Sequence, residues 1–154
     1  MKQRWLPVAV LAGALFAVNA LARFAVWALS VGSADKQVGF GLAAMAVAVL
    51  VAAYAGWRWA CRYPMSRAVP DLAVAVVVGA LLSTLVAPLA GGDSPVGSGL
   101  GAAIALFWQH LAVGAGGVLF GTLVAVATGR DYRAQALKRY EQHVRSRPRR
   151  AVRR

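Results

Sequence analysis

The sequence predicts an all-α membrane protein: four transmembrane helices in an antiparallel bundle, then a basic C-terminal amphipathic helix and a disordered end. Three observations carry this prediction. Of the 154 residues, 60% are hydrophobic, whereas a soluble domain has about 45–50%. The hydrophobic residues fall in four blocks separated by short polar or glycine-rich stretches. The basic residues gather on one side of those blocks and at the C-terminus.

The four blocks are residues 6–29, 38–60, 71–89 and 102–128, and a transmembrane helix needs about 20 mostly apolar residues. They make residues 1–129 a predicted transmembrane domain. Pro70 should open the third span and Pro88 should close it, because proline fits the first turn of a helix but not its interior. Asp71 would then act as a helix N-terminal charge. Short connections predict that consecutive helices are antiparallel neighbours.

The first span has an alternative interpretation as a secretory signal peptide. Lys2 and Arg4 precede an apolar run, and residues 20–22 read Ala-Leu-Ala, which resembles a cleavage site. The apolar run resumes after Arg23 and reaches full spanning length, which favours a span that is retained. Cleavage would remove one span and leave the rest of the topology unchanged.

Orientation follows from the basic residues near the span ends. Two precede the first span, three lie in the second connection and ten lie in the last 25 residues, whereas the other two connections hold only Lys36. This asymmetry predicts that both termini are cytoplasmic. The heavy use of Ala, Val, Gly and Arg is typical of a GC-rich bacterial genome. We therefore expect a multi-pass protein of a bacterial cytoplasmic membrane.

Residues 130–154 form a predicted basic cytoplasmic tail. Asp131 should cap a helix that runs to about Arg145, and the last ten residues should be disordered. Five residues would share the apolar face of that helix: Tyr132, Ala136, Leu137, Tyr140 and Val144. The basic residues are predicted to lie off that face and to contact anionic lipid of the inner leaflet: Arg130, Arg133, Lys138, Arg139 and Arg145. Docking of a cytoplasmic protein is the alternative. Nucleic acid is disfavoured, because no nucleic-acid-binding fold accompanies the basic run.

Polar side chains inside a membrane are costly and are therefore the default functional candidates. At about 1.5 Å per residue, six of them fall in the outer half of the bilayer and are predicted to form one buried polar layer: Asn19, Arg23, Ser83, Thr84, Gln109 and His110. Arg23 is its only fixed charge. It must extend outward to water, meet Asp35 or Asp93, or bind an anion. The alternatives are a layer that only joins helices through hydrogen bonds and a layer in which Arg23 meets an acid of a partner subunit.

Two sets of small residues predict close helix packing, because small side chains let backbones approach in lipid. Ala75, Gly79, Ser83 and Ala87 recur every four residues on the third span, and Gly117 and Gly121 form a GxxxG on the fourth. We expect both sets to pack inside the bundle. Contact with a second copy or with a partner protein is the alternative.

The sequence offers little for catalysis. It has no glycine-rich phosphate loop, no metal-ligand spacing and no nucleophile with a neighbouring base. Cys61 is the single cysteine, so an intrachain disulfide is excluded. We therefore expect a protein that is not an enzyme and that uses no cofactor or metal. The function that the sequence favours is an accessory, interaction or scaffold subunit of a membrane assembly, with a protein partner or a second copy. The alternative is a small oligomeric transporter or channel with an anion path near Arg23 and His110.

Overall fold

The computed structural model describes residues 2–29, 32–94, 96–97 and 99–146. Its elements are α1 (Lys2–Ala28), α2 (Ala34–Arg62), α3 (Met65–Leu85), a 3-10 helix (Ala87–Gly91), α4 (Leu100–Ala127) and α5 (Tyr132–Ser146). The described part contains no strand. Helices α1 to α4, with the 3-10 helix extending α3, are long and apolar enough to cross a membrane. The all-α class and the four span-length helices are confirmed.

The predicted start of the third span is wrong. Helix α3 begins at Met65, six residues before Asp71, with Pro64 as its N-cap. The backbone N–H groups of Arg67 and Ala68 donate to the Pro64 carbonyl at 2.9 and 3.0 Å. Pro70 therefore lies in the second turn. Its fixed φ suits a helix, and the missing N–H removes a single hydrogen bond close to the helix end.

The helices form a ring in the order α1, α2, α4, α3. Consecutive helices are neighbours except α2 and α3, which lie across the bundle from each other although only Tyr63 and Pro64 join them. For that pair the predicted neighbour relation is wrong. Helix α4 lies beside α2 instead, because its small residues let the two backbones approach closely.

The contact between α2 and α4 is made through glycines. A Cβ atom on Gly121 would overlap the Ala53 carbonyl oxygen, and one on Gly56 would overlap the Val118 carbonyl oxygen. A Cβ on Gly117 would lie 2.7 Å from the Val49 carbonyl oxygen. The structure thus places the GxxxG pair of α4 against α2 of the same chain.

The small-residue ladder of α3 faces α1. All four of its members are buried, and a Cβ on Gly79 would lie 3.2 Å from the Leu15 side chain. Around this contact lies the apolar core, whose buried members come from α1, α2 and α3, with partly buried residues of α4 packed against them. Its buried members include Val8, Leu11 and Leu72.

The bundle has two different ends. The loop end carries the end of α1, the start of α2, the 3-10 helix and the start of α4, and the terminal end carries the start of α1, the α2–α3 turn and α5. At the terminal end Asp71 is 4% exposed, and its Oδ2 lies 3.8 Å from Nε of Arg67. The Arg67 guanidinium lies 4.5 Å from the Tyr63 ring centroid. Asp71 is therefore a buried, ion-paired acid two turns into α3, and its predicted role as an N-terminal charge is wrong.

Helix α5 starts as the sequence predicts. Oδ2 of Asp131 accepts hydrogen bonds from the backbone N–H groups of Arg133 and Ala134 at 3.2 and 3.4 Å. Gly129, with φ of 61°, turns the chain between α4 and α5. The Gln135 amide donates to the carbonyl of Cys61 at 3.5 Å, so α5 begins beside the end of α2. The disordered end that the sequence predicts is residues 145–154. For its first two residues the prediction is wrong, because Arg145 and Ser146 belong to α5, and residues 147–154 fall outside the described residues.

Candidate ligand cavity at the loop end

A cavity of about 580 Å³ opens at the loop end between α1, α2, α4 and the 3-10 helix. We call it the loop-end cavity. Its volume lies in the range of small-molecule sites, about 300–1,000 Å³. Its apolar wall includes Val26, Phe40 and Leu106, and small residues of α2, Gly41 and Ala44, leave the space unfilled.

The floor of the cavity is polar and consists of Asn19 and His110, with Ser83 beneath it. Asn19 lies on α1, and its Nδ2 donates to the Ser83 hydroxyl oxygen of α3 at 3.2 Å and to the Leu15 carbonyl at 3.1 Å. Nδ1 of His110 lies 2.7 Å from the Leu106 carbonyl oxygen. A carbonyl oxygen can only accept, so Nδ1 carries the proton and a neutral ring keeps a lone pair on Nε2. Asn19 keeps its acceptor Oδ1 in the same way.

The charges lie closer to the mouth. Arg23, one helical turn beyond Asn19, has NH1 3.8 Å from Oδ2 of Asp93, and the two side chains are 33% and 72% exposed. The sequence left three possibilities for Arg23: extension to water, an ion pair with Asp35 or Asp93, or binding of an anion. The structure shows the ion pair with Asp93. These two are the only formally charged residues among those that line the cavity in the described part.

Two of the six residues predicted for the polar layer lie elsewhere. Thr84 is buried on α3 away from the cavity, and its hydroxyl has no hydrogen-bond partner in the described part of the chain. Gln109 is exposed on the outside of the bundle, and its amide donates to Sδ of Met45 at 3.4 Å. Neighbouring residues of a helix point about 100° apart, so Gln109 and His110 do not share a face.

The cavity ends at its floor. Beneath Asn19 and His110 lies a space of about 10 Å³, no larger than the least volume that holds one water, about 10–15 Å³. Beyond it the core residues Leu15, Ala48 and Val76 pack together. Within the described residues, the loop-end cavity therefore does not continue past its floor.

The sequence interpretation missed Gln37 and Phe40, which line the cavity from α2. Both precede or open the predicted second span, and the structure starts α2 earlier, at Ala34. One signal was available. Gln37, Gly41 and Ala44 recur at helical spacing, so extending the helix backward would have put Gln37 on the small-residue face.

The tail residues predicted to meet lipid lie on or beside α5, and all five are exposed. Leu137, Tyr140 and Val144 are 63%, 68% and 50% exposed, so nothing in the described part of the chain covers the apolar face of α5. Arg133 is an exception to the predicted separation: at about 100° per residue, it falls between Tyr140 and Val144 on that face.

The described part holds no group of three or more potential metal ligands. No family model, curated protein or solved structure matches this chain.

Proposed function

We propose that this protein is a small membrane-embedded binding protein and that the loop-end cavity is its binding site. The observation that carries the proposal is the combination of a cavity of ligand size with convergent polar groups from three helices and one loop. Mostly apolar walls with a few placed polar groups are what small-molecule sites have in common. Arg23 and Asp93 mark its mouth, and Asn19 and His110 mark its floor.

The same geometry bears on the transporter or channel alternative. The floor is tied by the bond between Asn19 and Ser83, and the core closes the bundle beneath it. A path through one chain would require this packed half to open. Binding needs no such movement, so the geometry favours a binding protein over a conducting one.

The proposal is tested by native mass spectrometry of the full-length protein, gently extracted from its own membrane. We expect a small-molecule mass at fixed stoichiometry. Arg23→Gln should lose that mass. Arg58→Gln should keep it, because Arg58 lies on α2 towards the terminal end and donates to Tyr54. If the wild type carries no such mass, or if both variants retain it equally, the cavity is not the binding site.

A second candidate function is an accessory or scaffold subunit with cytoplasmic termini, as the sequence suggests. What supports it is α5, a basic helix with an uncovered apolar face at the terminal end. Such a helix suits the surface of an anionic membrane or the groove of a partner. In the same mass spectrum this role would appear as a second protein in fixed stoichiometry. The triple variant Leu137→Gln, Tyr140→Gln and Val144→Gln should release that protein, and persistence of the complex would contradict a docking role for α5.

A further inference from the structure

We infer that the ligand of the loop-end cavity is a zwitterion, with an anionic oxygen group next to an ammonium, as in a phosphoethanolamine headgroup. This inference rests on the proposed function, because it assigns a ligand class to the same cavity.

Arg23 and Asp93 lie close together but do not form a direct hydrogen bond. The 3.8 Å between NH1 and Oδ2 exceeds the length of a charge-assisted hydrogen bond, about 2.7–2.9 Å. A guanidinium has five N–H donors, and a carboxylate has about four lone-pair sites. The 3.8 Å contact therefore uses little of this capacity, and both residues line the cavity. The two groups offer a ligand one cationic and one anionic contact side by side.

The position of Asp93 is set by the backbone before it. The 3-10 helix ends at Gly91, and Gly92 follows with φ of 78°. The Gly92 N–H donates to Leu89 and the Asp93 N–H donates to Pro88, both at 3.1 Å. These backbone bonds fix the loop so that the Asp93 carboxylate lies beside Arg23 on α1. The ion pair is therefore a feature of the folded loop.

The balance of charge selects the ligand class. Arg23 and Asp93 cancel, so the cavity has no net formal charge. A simple anion would be attracted by Arg23 and repelled by Asp93, and a simple cation would meet the reverse. A group that carries both charges a few ångströms apart satisfies both residues. The acceptors deeper in the cavity, Oδ1 of Asn19 and Nε2 of His110, suit ligand N–H or O–H donors.

The source of the zwitterion is either a lipid or a soluble molecule. The apolar wall at Val26, Phe40 and Leu106 would lie along the first carbons of a lipid, and the mouth is also open to a free headgroup. The chemistry of recognition is the same for both sources, so the experiment includes one arm for each.

The full-length protein is placed in micelles of an uncharged maltoside detergent with a minor fraction of either phosphatidylethanolamine or phosphatidylglycerol, and retained lipid is measured by native mass spectrometry. Phosphatidylcholine is left out, because it is itself a zwitterion that would compete for the cavity. A separate arm measures binding of soluble glycerophosphoethanolamine. We expect phosphatidylethanolamine or its soluble headgroup to be retained about tenfold over the phosphatidylglycerol counterpart, the scale of one charged hydrogen bond. Arg23→Gln should lose retention, and Arg23→Lys should keep it if the variant folds.

The decisive variant is Asp93→Asn. It leaves Arg23 without its counter-charge, so the preference should reverse towards phosphatidylglycerol. Asp35→Asn is the matched control, because Asp35 is an exposed acid at the start of α2 that does not line the cavity. Preference for either the lipid or the soluble zwitterion supports the inference.

Two outcomes would overturn the inference, and only the second would also overturn the proposed function. If phosphatidylethanolamine and phosphatidylglycerol are retained equally and Arg23→Gln loses both, the ligand class is wrong and cavity binding stands. If Arg23→Gln leaves the retention of every lipid and headgroup unchanged, the proposed function is wrong as well.

Discussion

Replacing Gly121 with alanine should destabilise the fold, because the added Cβ meets backbone on α2. The three atoms nearest to that Cβ are the carbonyl oxygen, carbonyl carbon and Cα of Ala53, and backbone atoms have no rotamer that avoids the overlap. Overpacking of this kind costs about 1–3 kcal/mol. Alanine also favours a helix over glycine by about 0.5–1 kcal/mol, which would partly mask the loss.

Gly116→Ala removes this ambiguity. Gly116 lies on the same helix, is exposed, and has nothing within 4 Å of an added Cβ. The gain in helix propensity is therefore shared by the two variants, and their difference in free energy of unfolding isolates the overpacking cost. We expect Gly121→Ala to be less stable than Gly116→Ala by about 1–3 kcal/mol.

The assay is unfolding in mixed micelles by titration with SDS, followed by tryptophan fluorescence. A difference within about 0.5 kcal/mol, the usual range of surface substitutions, would refute the described contact between α2 and α4. A change of oligomeric state in Gly121→Ala, with unfolding unaltered, would instead assign the GxxxG face to contact between chains.

Three further predictions use other parts of the bundle. A double-mutant cycle of Asn19→Ala and Ser83→Ala in the same unfolding assay should give a coupling of about 0.6 kcal/mol, the mean for hydrogen bonds between membrane helices; additive effects would contradict the bond. Arg67→Gln should lower the free energy of unfolding by up to about 1 kcal/mol, since it removes a partly exposed partner of buried Asp71; an unchanged value would show that the pair adds nothing. Ser94→Cys, made in a cysteine-free background, should react with a membrane-impermeant maleimide on intact cells if the termini are cytoplasmic; protection in cells with labelling in inverted vesicles would reverse the proposed orientation.

The sequence predicted the long helices well because their length and composition are local properties. About 20 apolar residues in a row satisfy the bilayer whatever their neighbours are. The α5 cap at Asp131 was predictable for the same reason, since a side chain two or three residues away supplies it. The start of α3 was not predicted, because Pro70 looks like a helix start and only the bonds from residues 67 and 68 to Pro64 show otherwise.

Which helix lies beside which was harder to predict, because the short turn at Tyr63 suggested the wrong neighbours. Helices α2 and α3 lie diagonally because α4 packs against α2. That packing requires glycines of α4 and α2 to lie at matching heights on the two helices, which the sequence of either helix alone does not show. The polar layer was partly foreseeable by depth, which brought Asn19, Ser83 and His110 to one level. Depth does not give the face of a helix, and therefore Gln109 was grouped with them and Phe40 was overlooked.

Small residues have opposite effects in the two halves of the bundle. Towards the terminal end, Gly117 and Gly121 meet backbone and close the contact, whereas Gly41 at the loop end has nothing within 4 Å of an added Cβ. The missing side chain at Gly41 is therefore part of the cavity volume. Gly41→Leu should fill the cavity without a clash and should therefore abolish ligand retention in native mass spectrometry. The free energy of unfolding in SDS should be unchanged or slightly higher. Retained ligand in a well-folded Gly41→Leu variant would mean that the ligand lies outside the cavity, and lower stability would mean that α1 and α2 lie closer together than the structure shows.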